Sequence, residues 1–71
     1  MNTNKLRAIM VLNGDNGGDL AEFLGLTRSR FSKKLNSNNA EFTQSEIQAI
    51  KERYNLDAEE VDDIFFNYKV S

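Results

Sequence analysis

The chain contains no cysteine, no histidine and no proline. Without cysteine there is no disulfide to staple a small domain, and without histidine or cysteine there is no structural zinc site of the usual kind. The same two absences remove the commonest catalytic base and a leading nucleophile. The acids near the C-terminal end are successive surface positions of one expected helix, with no pocket to raise a pKa. The expectation is therefore a non-enzyme with no cofactor and no small-molecule substrate. The lack of proline favours an all-helical domain whose only breakers are glycine and asparagine. Long hydrophobic runs are missing too. The longest, Ile9 to Leu12, is far too short to span a bilayer or to form a signal-peptide core, which gives an expectation of a cytoplasmic protein without a membrane partner. Asp15-Asn16-Gly17-Gly18-Asp19 lacks the third acidic position, the glycine register and the bidentate Glu of a calcium loop. No strand precedes Gly17-Gly18 and no Gly-Lys-Ser/Thr follows, so a nucleotide phosphate loop is excluded as well.

What is present is ordinary globular material. The chain has 71 residues, 39% hydrophobic and 28% charged. That is one small domain, 1–71, with a core spanning about 5–65. A chain of this length buries only about 60% of the surface its unfolded form exposes, so the core is thin. The net charge is −2, but its distribution says more than its sum. Arg28, Arg30, Lys33 and Lys34 occupy 28–36 without an acid. Asp57, Glu59, Glu60, Asp62 and Asp63 occupy 57–63 without a base. Each cluster taken alone also reads as a solvated face.

The pattern predicts five short helices. Thr3 or Asn2 caps the first, which runs to about Asn13 with Leu6, Ile9, Met10 and Leu12 inward, and Asn13-Gly14 ends it. Asn16 caps the second, with Asp19 in its first turn, and it runs to Leu24. The third runs from Thr27 or Arg28 to about Leu35. Thr43-x-x-Glu46 is a capping box that starts the fourth, with Phe42 and Ile47 as its hydrophobic staple and Ile47 and Ile50 inward. Asn55 breaks it. Asp57-x-x-Glu60 starts the fifth, which carries Val61, Ile64 and Phe65.

Residues 17–36, GGDLAEFLGLTRSRFSKKLN, organise the rest. Leu20, Ala21 and Leu24 share one face of the second helix. Gly25 permits a left-handed residue just past its end. Thr27 is a good N-cap for the third helix, whose inward stripe is Phe31 and Leu35. Two helices joined by a tight glycine-containing turn make a helix-turn-helix. A third helix that hides Phe31 and Leu35 and shows cations beside short hydrogen-bonding side chains suits the major groove of DNA.

The run LAEFLGLTRSRFSKKLN, followed by EFTQSEIQAIKERYNL, resembles the Cro and lambda-repressor family of phage and plasmid regulators, over roughly Lys5 to Phe65. The resemblance implies an all-α, five-helix lambda-repressor-like DNA-binding domain with its helix-turn-helix at helices two and three. It implies a homodimer on a pseudo-palindromic double-stranded operator. In the family a glutamine commonly opens the second helix and binds a phosphate. Gly17 stands there in this chain, leaving only its backbone amide. Base-reading positions at the start of the third helix correspond to Arg28 and Ser29, with Lys33 one turn on. Asn36 matches a position that touches the backbone or groove edge. Where the family often has a leucine before the second helix, this chain has Asp15.

The candidate base contacts are Arg28, Ser29, Arg30 and Lys33. Arg28 and Arg30 lie about 200° apart on a helix, so one reads a base and the other a phosphate. The candidate phosphate contacts are Gly17, Thr27, Lys34, Asn36 and Asn38, although the loop around Asn38 also reads as a plain connector. Phe65, Phe66 and Tyr68 are too close in sequence to enter one small core together. They read either as a core residue with edge caps or as a dimer or partner interface. An alternative function follows from the acidic balance, Gly17 and this acidic-aromatic end: an antirepressor that uses the same fold to bind a phage repressor protein.

Overall fold

A computed structural model describes residues 2–36 and 42–66. Five α-helices follow in order: α1 (Thr3–Leu12), α2 (Gly17–Phe23), α3 (Arg28–Leu35), α4 (Gln44–Arg53) and α5 (Ala58–Phe65). No strand occurs among the described residues, and none of their helices is long and apolar enough to cross a membrane.

Each helix begins on a side chain that accepts a hydrogen bond from a first-turn amide. Asn2 caps α1, Asn16 caps α2, Thr27 caps α3, Thr43 caps α4 and Asp57 caps α5. Thr43 with Glu46 and Asp57 with Glu60 form reciprocal capping boxes as the spacing predicts. Asn16 with Asp19 forms a third.

Three helices end in the same way. After α1, α2 and α4 the chain enters the left-handed region at Gly14, Gly25 and Asn55, with φ of 76°, 72° and 53°. In each case the next amide reaches back to a carbonyl five residues earlier: Asp15 to Met10 at 2.8 Å, Leu26 to Ala21 at 2.9 Å and Leu56 to Lys51 at 2.9 Å. These are Schellman closures, and they satisfy carbonyls that the helix end leaves open. At Gly25 the closure turns the chain from α2 into α3 within four residues. Asn55 serves where a glycine would be easier, because its short polar side chain tolerates this conformation.

The buried side chains form one cluster, with α1 giving Leu6 and Met10, α2 giving Leu20 and Ala21, and α3 giving Phe31 and Leu35. Phe42, Ile47, Ile50, Tyr54 and Leu56 enter from α4 and its flanks, and Val61, Ile64 and Phe65 from α5. Phe42 sits between two other rings, edge-on to Phe31 at 6.0 Å and to Phe65 at 5.8 Å between centroids. This row joins α3 to α5 through the residue just before the α4 cap. The inward expectation for Leu12 does not hold. Leu12 is 84% exposed, because six residues past Leu6 it points about 240° round the helix, away from the stripe of Leu6 and Met10.

Two polar ties fix α1 against the rest. The Asn2 amide donates to the Ile64 carbonyl at 2.7 Å, and the Thr3 hydroxyl donates to the Leu35 carbonyl at 2.9 Å. Lys5 Nζ adds an ion pair with Asp63 at 2.9 Å. Its hydrogen bond to that carboxylate raises the Lys5 pKa.

Candidate nucleic-acid interface

The face of α3 that points away from the core is built by periodicity. Phe31 and Leu35 are four apart and both buried, so the positions on the opposite side of the helix face outward. Arg28, Ser29, Arg30, Ser32, Lys33 and Asn36 are all exposed. Among the described residues, the side chains of Arg28, Arg30 and Lys33 have no hydrogen bond or ion pair to protein. Leaving three cations solvated and unpaired on an eight-residue helix costs little, and it keeps their donors available to an incoming anion.

The rows on this face can be told apart. Ser29, Lys33 and Asn36 fall at i, i+4 and i+7 and run down the middle. Arg28 lies to one side, toward α2: its Nε is 4.0 Å from the point where a Cβ on Gly18 would stand. Arg30 and Lys34, four apart, form a third row, from which Lys34 reaches Glu46 on α4. Asn36 closes the helix, its amide donating to the Ser32 carbonyl at 3.0 Å and its side chain to the Ser32 hydroxyl at 3.4 Å. Thr27 starts it, its hydroxyl oxygen accepting from the Arg30 amide at 3.2 Å.

Lys34 departs from the expected phosphate contact. Its ammonium donates to Glu46 Oε1 at 2.9 Å, and both side chains are only 14% exposed. It also stands 5.9 Å above the Phe42 ring. The physical reason is the neighbouring cap. Glu46 is held at the start of α4 by the Thr43 amide, which donates to the same Oε1 at 2.9 Å, and this fixed carboxylate is the one that Lys34 reaches. Burial pushes the Glu46 carboxyl up, but the hydrogen bonds from Lys34 and Thr43 outweigh it and leave the pKa lowered.

Gly17 opens α2 as its first residue, half-buried, and a Cβ there would rest 3.8 Å from the Phe31 ring. Phe65 is 0% exposed and belongs to the core, so it offers nothing to a partner. With Val61 and Ile64 it falls at i, i+3 and i+4, which puts it on the inner stripe of α5. Phe66, one residue later, is 40% exposed. Asn38 and Tyr68 lie outside the described residues.

Asp15 stands near the start of α2, where a free carboxylate would repel phosphate. It is not free. Arg53 donates to it twice, at 2.8 and 2.9 Å, and the Tyr54 hydroxyl donates at 2.6 Å. The Arg53 hydrogen bond, with that of Tyr54, holds its carboxyl down to about 2. Burial and the Asp15 hydrogen bond push the Tyr54 phenol up to about 12. Arg53 also covers the Phe23 ring at 4.5 Å, which accounts for a phenylalanine so far out on α2. Residues 15 and 53 are 38 apart, and no local pattern announces the pair.

The acids of α5 do not reach α3. Asp57 and Glu60 are engaged in the α5 cap, Asp63 holds Lys5, and none of them pairs with an α3 cation among the described residues. No group of His, Cys, Asp and Glu able to hold a metal occurs among the described residues. Comparison of the chain with protein-family models, with curated proteins and with solved structures finds no match in any of the three.

Proposed function

We propose that this chain is a DNA-binding transcriptional regulator of the lambda-repressor-like helix-turn-helix type, with α3 as the helix that enters the major groove. One observation carries the reading: Phe31 and Leu35 are buried beneath α3 while Arg28, Ser29, Arg30 and Lys33 stand exposed on its far side. The left-handed Gly25 between α2 and α3 and the buried Ala21 on α2 support the same motif. A guanidinium can bond guanine O6 and N7 together, worth about 1–3 kcal/mol of discrimination. The position of Arg28 beside the start of α2 suits a phosphate or the first base. The Ser29–Lys33 row suits the groove floor. A homodimer would place one α3 per half-site, with half-sites about 34 Å apart, and would act by occluding a promoter.

The test is an anisotropy titration against the intergenic DNA beside the protein's own gene, at two salt concentrations. Three contacting cations per subunit give a slope of about −2.7 in log K against log salt, roughly doubled in a dimer. Arg28→Ala with Lys33→Ala should abolish specific binding with the helical spectrum unchanged. Absence of any salt-dependent binding by the wild type would refute the reading.

A second reading is an antirepressor that grips a repressor protein. It is favoured by Phe66, exposed beside the exposed Asp62 on the acidic helix α5. In that case Phe66→Ser removes the biological effect and the Arg28 and Lys33 substitutions do not.

A further inference from the structure

We infer that Lys34 is a positioning residue for α3, locking the helix to the α4 cap through Glu46, and not one of the cations that meet phosphate. The inference rests on the DNA-binding reading for its consequence, although the lock itself does not.

The last turn of α3 is gripped from two sides. On one side the Thr3 hydroxyl donates to the Leu35 carbonyl at 2.9 Å. On the other, Lys34 reaches Glu46 at 2.9 Å. Glu46 is itself immobilised, since one of its oxygens accepts from both Lys34 and the Thr43 amide while its own amide donates to the Thr43 hydroxyl at 3.2 Å. A cation tied to a fixed carboxylate sets the roll of its helix. Lys34 is one residue, about 100°, from Lys33, so holding Lys34 against α4 aims Lys33 and Ser29 outward. It also stands four residues from Arg30, whose row it therefore borders. Both partners are 14% exposed, and the Lys34 ammonium lies over Phe42, so the pair is shielded from solvent in a way that the α3 cations facing outward are not. Turning Lys34 out to a phosphate would leave the Glu46 carboxylate part-buried without its cation, which opposes the move.

The experiment compares the full chain with Lys34→Met, which keeps the stem over Phe42, Glu46→Gln, which keeps an acceptor for the Thr43 amide, and Lys33→Ala. Amide hydrogen exchange is followed along α3 and α1. Binding is measured on two probes, the intergenic duplex and a scrambled duplex of the same composition. In Lys34→Met and Glu46→Gln the amides of residues 32–35 should exchange about tenfold faster while α1 amides keep their protection. The ratio of intergenic to scrambled affinity should fall several-fold in both, with the salt slope on the scrambled duplex unchanged. Lys33→Ala should instead lower that slope by about 0.9 per subunit. A slope lowered equally by Lys34→Met would overturn the inference and make Lys34 a phosphate contact. Unchanged exchange at 32–35 in both variants would overturn it regardless of DNA. If the wild type binds neither duplex, the DNA-binding reading fails while the exchange data still decide the lock.

Discussion

Replacing Phe42 should damage this protein severely, although the residue lies outside every helix. Phe42 is 6% exposed, lies just before the α4 cap, and contacts Phe31 and Phe65 edge-on at 6.0 and 5.8 Å. Truncating a buried phenylalanine to alanine costs about 3–5 kcal/mol through lost burial and the cavity left behind. A domain of this size holds only about 4–10 kcal/mol in total. Phe42→Ala should therefore leave the chain marginal or unfolded near 37 °C. Phe42→Leu keeps most of the volume but loses two edge-to-face pairs of about 0.5–1.5 kcal/mol each, so its cost should be about 1–3 kcal/mol. Urea unfolding followed by ellipticity at 222 nm measures both, with Leu12→Ala as the control. Leu12 is 84% exposed, and its truncation should stay within about 0.5 kcal/mol. Combining Phe31→Leu with Phe42→Leu should give a coupling of the size of one aromatic pair. If Phe42→Ala shifts stability by less than about 1 kcal/mol at unchanged m, the aromatic row is not the bridge between α3 and α5, and the platform assigned to α3 is wrong.

Three further outcomes are expected. At Asn55, where φ is 53°, valine should cost about 1–2 kcal/mol in the same urea assay, because a β-branched side chain resists the left-handed region. Gly17→Ala should stabilise by about 0.4–1 kcal/mol, since the new Cβ meets Phe31 at an ordinary 3.8 Å. Gly18→Ala should gain less or lose, because its Cβ would crowd the Asn16 cap oxygen at 3.2 Å, so equal gains at the two sites would refute this account. The Asp15 carboxyl is held below its ordinary 3.8, at about 2, so its contribution is complete above about pH 4 and is lost as the pH falls through 2. Urea midpoints measured across that window should fall for the wild type and flatten in Asp15→Asn.

Most of the helical plan is legible in the sequence because it is written locally. A cap three residues before its partner, a glycine after an apolar row and a four-residue apolar spacing each act within one turn. They predict α3 from Arg28 to Leu35 and the two capping boxes at Thr43 and Asp57, as observed. What escapes is non-local. Asp15 with Arg53 and Lys34 with Glu46 are paired by the packing of helices far apart in sequence. Leu12 escapes for a different reason. It is apolar, but six residues past Leu6 it lies about 240° round the helix, off the stripe that Leu6 and Met10 bury. Phe65 and Phe66 show the limit of composition. Both belong to one aromatic cluster, and only the register of α5 decides that the first is core and the second surface.

The net charge of −2 would argue against a nucleic-acid partner if charge acted as a sum. It does not at physiological salt, where the Debye length is about 8 Å and the molecule extends 34 × 23 × 21 Å. A phosphate approaching α3 responds to the charges within roughly one Debye length. Arg28, Arg30 and Lys33 there are unpaired among the described residues, and Asp15, near the α2 start, is matched by Arg53. The acids of α5 regain influence only as salt is lowered and screening lengthens. Under the proposed DNA-binding reading, affinity should rise with dilution less steeply below about 0.02 M salt, where the Debye length reaches the width of the molecule, than above it, whereas a uniformly acidic surface would weaken binding throughout.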